Sequence, residues 1–333
     1  MRTKLCELLG IDVPIISAPM GRQAGPLLTA AASNAGGLGT SAVWLFEIDE
    51  LRRRIREIRS LTTRPFAINL NLNFPQEQRL SAALSENVPI VSFFWGDPAG
   101  MVEQVKLAGA KVIQTVGSAA EARLAVSRGA DVIVAQGWEA GGHVWSSVAT
   151  MALVPAVVDA VAPVPVVAAG GICDGRGLAA ALALGASGVW MGTRFLAATE
   201  ADVHPYYQQR LIEAAESDTV HLDNLFDIGW PEAPHRVLRN STVAAWEAAG
   251  RPPIGNRPGE GETVAYTETN EPIIRYEVRA PLRQTKGELE ALPLWAGQGV
   301  AAVKSIQPAA DIMRDVVAEA ESILRELALR SIP

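Results

Sequence analysis

A histidine preceded by two glycines is the residue of this sequence best suited to proton transfer. His143 ends the run AQGWEAGGH at 135–143, directly after the mainly apolar segment DVIV at 131–134. An imidazole titrates near neutral pH and can take or give a proton. The other three histidines fall elsewhere in the sequence: His204, His221 and His235. The pattern predicts His143 as a catalytic acid or base, with Glu139 as a candidate to orient it, and no metal, because no acids or histidines have ligand spacing.

Two glycine-bearing segments predict a site for a phosphate group. Gly170 and Gly171 stand in the run AAGGI, and Gly192 and Thr193 stand in MGTRF. Glycines let backbone N–H groups approach an anion closely, and the threonine adds a hydroxyl. The spacing of Gly170, Gly171, Gly175 and Gly177 does not form the GxGxxG motif, and the sequence has no P-loop motif. A phosphate cradle is therefore favoured over a dinucleotide fold of the Rossmann type.

Amide and aromatic side chains follow several of the apolar runs. Asn69, Gln114 and Gln136 can each donate and accept hydrogen bonds, which suits the edge of a heterocycle that carries carbonyls and ring nitrogens. Three tryptophans near the same positions offer flat apolar surface for a substrate pocket: Trp95, Trp138 and Trp145. The amides are predicted to bind a cofactor.

The elements that must position these residues alternate between short β-rich runs and helical runs. The predicted strands cover residues 13–17, 37–41, 66–70, 90–94, 111–116, 131–135, 165–169 and 188–191. The predicted helices cover residues 25–34, 48–59, 78–86, 100–108, 119–128, 151–160 and 177–184. Such alternation predicts a (β/α)8 TIM barrel, with a doubly wound sheet as the alternative. The candidate residues then fall at the carboxyl ends of the strands, and the phosphate cradle falls after strands seven and eight.

The chain changes character after about residue 215. Residues 216–295 are rich in Pro, Gly, Asn and charge, with short helical patches at 237–249. We predict a lid or substrate subdomain at 216–295, inserted in an α/β barrel that comprises residues 1–215 and 296–333. An amphipathic helix at 309–329 is predicted to pack back on the barrel.

Composition limits the classes of function. The net charge of −7 argues against nucleic acid as a ligand. No apolar run reaches the roughly 18 residues that cross a bilayer, and the first residues do not form a signal peptide, so a soluble, cytoplasmic protein is expected. The arginines at 52–59 alternate with apolar residues as on a solvated helix face, and Cys6 and Cys173 form no disulfide framework.

Several of these segments, in order along the chain, resemble the FMN-dependent nitronate monooxygenases, formerly called 2-nitropropane dioxygenases. The matching runs are APM at 18–20, AGGLG at 35–39, NLN at 69–71, EAGGH at 139–143, AAGGI at 168–172, MGTRF at 191–195 and AGQG at 296–299. The combination of GGH with GTRF is specific, whereas a single glycine motif would be weak. The resemblance covers nearly the whole chain outside the lid.

The resemblance implies a barrel that holds FMN and a flavin-dependent oxidation. The phosphate would lie at the predicted glycine cradle, and His143 would be the catalytic acid/base. The cofactor would further contact Pro19, Met20, Gly21, Asn69, Gln136, Gly141, Gly142, Gly297 and Gln298. The implied reaction oxidises alkyl nitronates with O2 to a carbonyl compound and nitrite, with the electrons passing through the flavin.

Two relatives of the same fold remain as alternatives. They are a flavin-dependent enoyl-acyl-carrier-protein reductase and an NAD(P)H:quinone reductase, both of which need NAD(P)H in place of a nitronate. The sequence departs from the expected family pattern in the lid and beside the catalytic loop, at Trp138, Val144 and Trp145. From other classes, a non-redox barrel that binds a substrate phosphate and a flavin-binding partner module stay open.

Overall fold

The computed structural model describes residues 1–330, and their strands form one closed barrel and two small sheets. In chain order the strands are β1 (Ile15–Ser17), β2 (Leu38–Ala42), β3 (Phe66–Asn71), β4 (Ile90–Phe94), β5 (Lys111–Val116), β6 (Val132–Gln136), β7 (Gly142–His143), β8 (Val166–Ala169), β9 (Gly188–Met191), β10 (Thr219–Leu222), β11 (His235–Leu238), β12 (Thr263–Tyr266), β13 (Pro272–Ile274) and β14 (Lys286–Gly287). Strands β1 to β6, β8 and β9 are all parallel, and β9 pairs with β1 to close the barrel. The predicted (β/α)8 barrel is confirmed.

Helices alternate with the barrel strands. They are α1 (Lys4–Leu9), α2 (Pro26–Asn34), α3 (Ile48–Leu61), α4 (Glu77–Ser85), α5 (Met101–Leu107), α6 (Ala119–Ser127), α7 (Thr150–Val161), α8 (Gly175–Ala183), α9 (Thr193–Leu196), α10 (Pro205–Glu213), α11 (Ser241–Ala248) and α12 (Ala309–Arg330). Short 3-10 segments lie at Glu216–Asp218, Leu289–Ala291 and Gln298–Ala302. Polar side chains cap the start of four helices among residues 1–330. For example, Ser118 accepts from the backbone N–H of Glu121, and Asp174 accepts from that of Gly177.

The barrel interior is filled by side chains, so it is a packed core and not a pore. Successive residues of a strand face opposite sides: Ile113 of β5 lies in the interior cluster, whereas Val112 packs against the surrounding helices. Helix α1 closes one end by placing Leu5 and Leu9 against this interior cluster. Burying each such side chain stabilises the fold by roughly 1.5–3 kcal/mol. The core thereby holds the strand ends in fixed positions.

The segment predicted as a lid contains β-structure that the sequence analysis missed. Strands β10, β11 and β7 form one antiparallel sheet, and β13, β12 and β14 form another. The prediction of helical structure at 237–249 is wrong for its first residues. Strand β11 reaches Leu238, and α11 begins only at Ser241. These strands are two to four residues long, too short for a period-2 pattern to stand out. The division of the chain at residues 216 and 295 stays a prediction.

The C-terminal helix α12 packs on α8 and α2, as its apolar spacing predicts. Its buried residues are Ala309, Ile312, Met313, Val316 and Ala320. Gly175 permits this close packing, because a Cβ there would lie 2.6 Å from the carbonyl oxygen of Val316. Within residues 1–330, no helix is both long and apolar enough to span a bilayer.

Candidate active site

A cavity of about 580 Å³ opens at the carboxyl ends of the barrel strands. This volume is typical of cofactor and ligand sites. The loop between β12 and β13 reaches over it through Thr267, Glu268 and Glu271. Most of the residues predicted from the sequence line the cavity together: Pro19, Met20, Gly21, Asn69, Gln136, Gly141, Gly142, His143, Gly170, Gly171, Gly192, Thr193 and Gly297. Their convergence follows from the barrel topology, which brings distant loops to one rim.

His143 lies on β7, a two-residue strand that pairs with β11 of the lid segment. Gln136, at the end of β6, holds this strand in place: its Nε2 donates to the carbonyl oxygen of His143 at 3.1 Å, and its Oε1 accepts from the backbone N–H of Trp145 at 2.9 Å. Burial lowers the pKa of His143 well below its usual value near 6.5, and the neighbouring His235 lowers it further. The imidazole is therefore neutral at physiological pH.

The surroundings of His143 include a second histidine but not the carboxylate predicted to orient the ring. His235, which falls 92 positions away in the sequence, lies directly opposite His143 on β11, with the ring centroids 5.8 Å apart. Glu139 does not orient the His143 ring, because its Oε2 accepts from the backbone N–H and the hydroxyl of Thr150 at 2.8 and 3.0 Å. Glu139 instead ties the loop after β6 to the start of α7.

Three backbone segments meet at the predicted phosphate cradle. A Cβ on Gly141 would overlap the backbone nitrogen of Gly297, and one on Gly299 would overlap the carbonyl oxygen of Gly171, so only glycine allows these approaches. The backbone N–H of Gly297 donates to Oγ1 of Thr193 at 3.0 Å. Since this oxygen accepts from Gly297, the hydroxyl hydrogen of Thr193 is available for an anion. The cradle is thus rigid and rich in donors.

Aromatic rings form the wall of the cavity beside His143. Trp230 stacks on the imidazole with the ring centroids 3.7 Å apart and the planes inclined by 23°. Trp295 lies 5.2 Å from the same imidazole, and Trp44 and Phe94 also line the cavity. This wall is large and apolar, so it excludes water from the histidine and favours flat or apolar substrates.

Two amides predicted to bind the cofactor do not line the cavity. Gln114 lies on the outer face of β5, where its Nε2 donates to the carbonyl oxygen of Gly96 at 3.0 Å, and the neighbouring Thr115 faces the cavity instead. The alternation of side chains along a strand explains this shift of one residue. Gln298 contributes its backbone N–H to the carbonyl oxygen of Glu139 at 3.0 Å, and its neighbours Gly297 and Gly299 line the cavity.

The three tryptophans predicted for the substrate pocket lie outside the cavity lining. Trp95 packs behind the wall, 5.0 Å from the ring of Trp230. Trp145 is 38% exposed and donates through Nε1 to Glu121 at 2.6 Å. Trp138 stacks on His221, and the guanidinium of Arg236 lies over the Trp138 ring, 4.2 Å from its centroid.

Trp44, Trp230 and Trp295 line the cavity, and the sequence analysis did not select them. Trp44 follows the end of β2, so the rule that sites gather at strand ends could have found it. Trp230 and Trp295 come from the segment after the barrel, and no local pattern marks them. Cys173 also lines the cavity, where burial raises the pKa of its thiol to about 12, so it stays a protonated thiol and not a nucleophile.

The chain is similar to several known proteins. A sequence model described as nitronate monooxygenase matches residues 2–78 and 71–319. The nitronate monooxygenase of Paraburkholderia phytofirmans is 33% identical over 97% of this chain and 96% of its own length. The (3aS,4S,5R,7aS)-5-hydroxy-7a-methyl-1-oxo-octahydro-1H-indene-4-carboxyl-CoA dehydrogenase of Mycobacterium tuberculosis is 40% identical over 75% of this chain and 70% of its own length. The solved structure of FabK from Thermotoga maritima superposes with a TM-score of 0.84 at 34% identity, covering 98% of this chain and 99% of that one.

Proposed function

The chain belongs to the nitronate monooxygenase family and is a flavin-dependent oxidoreductase, and on this premise we propose that it binds FMN and oxidises alkyl nitronates with O2 to a carbonyl compound and nitrite. The observation that carries the proposal is the placement of a neutral His143 in one cavity with a glycine cradle. The cradle suits a phosphate, and the histidine suits proton transfer at a substrate held beside the cofactor.

The residues of the cavity fit a flavin mononucleotide. Gly192 precedes α9 and carries no side chain, which leaves the space beside Thr193 open to a phosphate. Asn69 is buried on the barrel rim, where its Nδ2 donates to Ser92 Oγ at 3.2 Å and its carbonyl oxygen remains to accept from a ring N–H. Gln136 and Met20 line the same cavity.

A bound FMN would supply the ring that accepts electrons from the nitronate and delivers them to O2. The protein's own groups bind, orient and handle the proton. Because burial keeps the pKa of His143 low, its neutral imidazole can take the proton from the α-carbon of a nitroalkane, which generates the nitronate within the cavity. Gln136 fixes the position of this base through the His143 carbonyl. The aromatic wall keeps water away from the reacting carbon.

The decisive test is the behaviour of the purified protein with FMN and a nitronate. We expect a yellow protein whose released cofactor is FMN by mass, and whose flavin absorbance bleaches when propyl-1-nitronate is added without oxygen. Admitting O2 should restore the absorbance and yield nitrite and propanal. A colourless protein that takes up no FMN, or a flavoprotein that propyl-1-nitronate does not reduce, would contradict the proposal.

A reductase that takes its electrons from NAD(P)H is the second candidate. It is favoured by the likeness to FabK over almost the full length of both chains. The relative from Mycobacterium tuberculosis is named as a carboxyl-CoA dehydrogenase, which adds a thioester to the substrate groups to be tried. Here an enoyl thioester or a quinone would take the place of the nitronate in the cavity.

The same anaerobic flavoprotein distinguishes the two candidates. Bleaching by propyl-1-nitronate but not by NADH or NADPH supports the monooxygenase. Bleaching by NADH or NADPH alone, followed by recovery on adding crotonyl-CoA or a quinone, supports the reductase. O2 consumption in the presence of the nitronate provides an independent measure of the first reaction.

A further inference from the structure

Gln23, in the loop after β1, is a buried residue whose side-chain amide has no hydrogen-bond partner within residues 1–330. Only 6% of Gln23 is exposed. The other three buried glutamines in this part of the chain each donate through Nε2 to a backbone carbonyl oxygen at 3.0 Å: Gln76 to Asn71, Gln114 to Gly96 and Gln208 to Leu196. A buried amide without partners is costly, because its lost hydrogen bonds to water are not replaced. Gln23 therefore lacks a partner that a bound molecule could supply.

The amide of Gln23 is open to the cavity. Gln23 and Gly21 both line it, and a Cβ on Gly21 would lie 3.2 Å from Oε1 of Gln23. The amide oxygen thus lies beside a glycine that has no side chain to cover it. Unlike the indole nitrogen of Trp230, which is enclosed by protein, both Oε1 and Nε2 of Gln23 keep accessible surface. A molecule in the cavity can therefore reach this amide.

Hydrogen bonds on both sides of Gln23 fix the loop that carries it. Its backbone N–H donates to the carbonyl oxygen of Met20 at 3.0 Å, and its carbonyl oxygen accepts from the backbone N–H of Asp202 at 3.1 Å. Oδ1 of Asp202 accepts in turn from the backbone N–H of Arg283 at 3.1 Å. Residues 282, 284 and 285 line the same cavity and belong to the segment predicted as a lid or substrate subdomain. Gln23 thus lies where the barrel rim meets that segment.

Gln23 and His143 belong to different sides of the barrel rim. Gln23 follows β1, whereas His143 follows β6. Strands β8 and β9, whose loops contribute to the glycine cradle, stand between β6 and β1 in the closed barrel. The wall beside His143 is aromatic, and the side at Gln23 offers an amide. A substrate with its reacting carbon next to His143 can therefore extend its other end toward Gln23.

We propose that Gln23 determines substrate specificity, its amide hydrogen-bonding a hydroxyl or carbonyl group at the end of the substrate remote from the reacting carbon. The proposal deepens the proposed function and rests on this cavity being the active site. An amide both donates and accepts, so it matches a neutral oxygen group, whereas a methyl group would leave Oε1 and Nε2 unpaired. A site built to hydrogen-bond a substrate rejects an analogue that lacks the group, because the polar atoms of the site then have no partner. The preferred substrate is therefore an alkyl nitronate with an oxygen group at its far end.

Substrate pairs that differ only at the far end test this proposal. The nitronates of 3-nitropropan-1-ol, 4-nitrobutan-1-ol and 5-nitropentan-1-ol are compared with those of 1-nitrobutane, 1-nitropentane and 1-nitrohexane, in which a methyl group replaces the hydroxyl. We expect Gln23→Leu to lower the ratio of kcat/KM values, hydroxyl over methyl, by roughly tenfold for the chain length that reaches the amide. Gln104→Leu, on the exposed side of α5, is the control and should leave every ratio within about twofold of wild type. Equal ratios in wild type and Gln23→Leu at every length would overturn the proposal, with or without a raised Kd for FMN.

Calorimetric binding of carboxylates to the purified protein separates this inference from the proposed function. The ligands are 4-hydroxybutanoate, 5-hydroxypentanoate and 6-hydroxyhexanoate, each compared with its methyl counterpart: pentanoate, hexanoate and heptanoate. A carboxylate presents the two oxygens of a nitronate but has no electrons to give, so its affinity reports on the pocket and not on turnover. We expect wild type to bind at least one hydroxy acid more tightly than its methyl counterpart. If wild type turns over no nitronate but shows this preference, only the proposed function fails. If it binds none of these acids, or prefers the methyl compound at every length, the role of Gln23 is overturned even without a folded variant.

Discussion

His143 and His235 lie directly opposite each other on β7 and β11, but only one of them has a ring nitrogen to spare. Nδ1 of His235 donates to the carbonyl oxygen of Ala233 at 2.8 Å, and its Nε2 accepts from the backbone N–H of Phe226 at 3.3 Å. This pattern assigns a neutral tautomer to His235. Nε2 of His143 has no partner within residues 1–330. The pair thus divides into a histidine whose two ring nitrogens are both hydrogen-bonded and one that keeps an unpaired, buried ring nitrogen.

Removing the imidazole of His143 should abolish most turnover without disturbing the cofactor. His143→Ala leaves the backbone of β7 and its hydrogen bond from Gln136 intact. We expect kcat with a neutral nitroalkane to fall by about 10²-fold or more, as for the loss of a general base. The flavin absorbance of the purified variant serves as the check on binding. Unchanged turnover would assign His143 a structural role.

Protonation of His235 should destabilise the protein in acid. Burial, the larger influence, lowers the pKa of His235 from 6.5 to about 4 in the folded state, so the unfolded chain binds more protons between those values. The free energy of unfolding should therefore fall as the pH drops from 6.5 to 4, by roughly 3 kcal/mol from this group. Urea unfolding at pH 7.5, 5.5 and 4.5 measures it. His235→Gln should show a flatter dependence, and an equal slope would contradict the assignment.

A methyl group at Gly192 should block the cradle while the fold persists. A Cβ there would meet no protein atom closer than 3.6 Å, so Gly192→Ala should fold, but the methyl would occupy space beside Thr193. We expect the Kd for FMN to rise about tenfold or more, equivalent to about 1.4 kcal/mol. Fluorescence titration of the apoprotein measures the Kd. Gly100→Ala is the control, because a Cβ there has no neighbour within 4 Å among the described residues.

Exchanging the amide of Gln136 for a carboxylate should displace the catalytic strand. Gln136→Glu keeps an acceptor for the N–H of Trp145 but sets an oxygen against the carbonyl oxygen of His143, where a donor stood at 3.1 Å. The lost bond and the new repulsion should cost about 1–3 kcal/mol in unfolding free energy and lower kcat/KM. Gln104→Glu, on the exposed side of α5, should change neither quantity. Equal melting temperatures for both variants would contradict this role of Gln136.

The barrel could be predicted because its signals are local. Apolar runs such as those of β5 and β6 are buried on both faces and stand out from the helices between them. The order of the strands follows from parallel connections, and that order places Gly170 and Gly192 on the same rim as His143. The topology alone therefore predicts that these residues converge, and no side-chain contact needs to be known.

What the sequence did not reveal depends on register and on long-range contacts. Gln114 and Thr115 are adjacent, and a shift of one residue decides which faces the cavity. Trp230 and His235 reach His143 only because β11 pairs with β7, an antiparallel contact between two-residue and four-residue strands that no periodicity signals. The tryptophans chosen from the sequence do not line the cavity. Tertiary packing brings other tryptophans to it instead.

The close approach of Gly141, Gly171 and Gly297 also sets an order of events during synthesis. The cradle needs the segment at 296–299, which packs between the loops that follow β6 and β8. A nascent chain that has released the eight barrel strands still lacks this segment, so it has no complete cradle. Under the proposed function, cofactor uptake must therefore follow the emergence of residues 296–299 from the ribosome. If the cofactor binds at this cradle as proposed, flavin content reports on folding through residue 299.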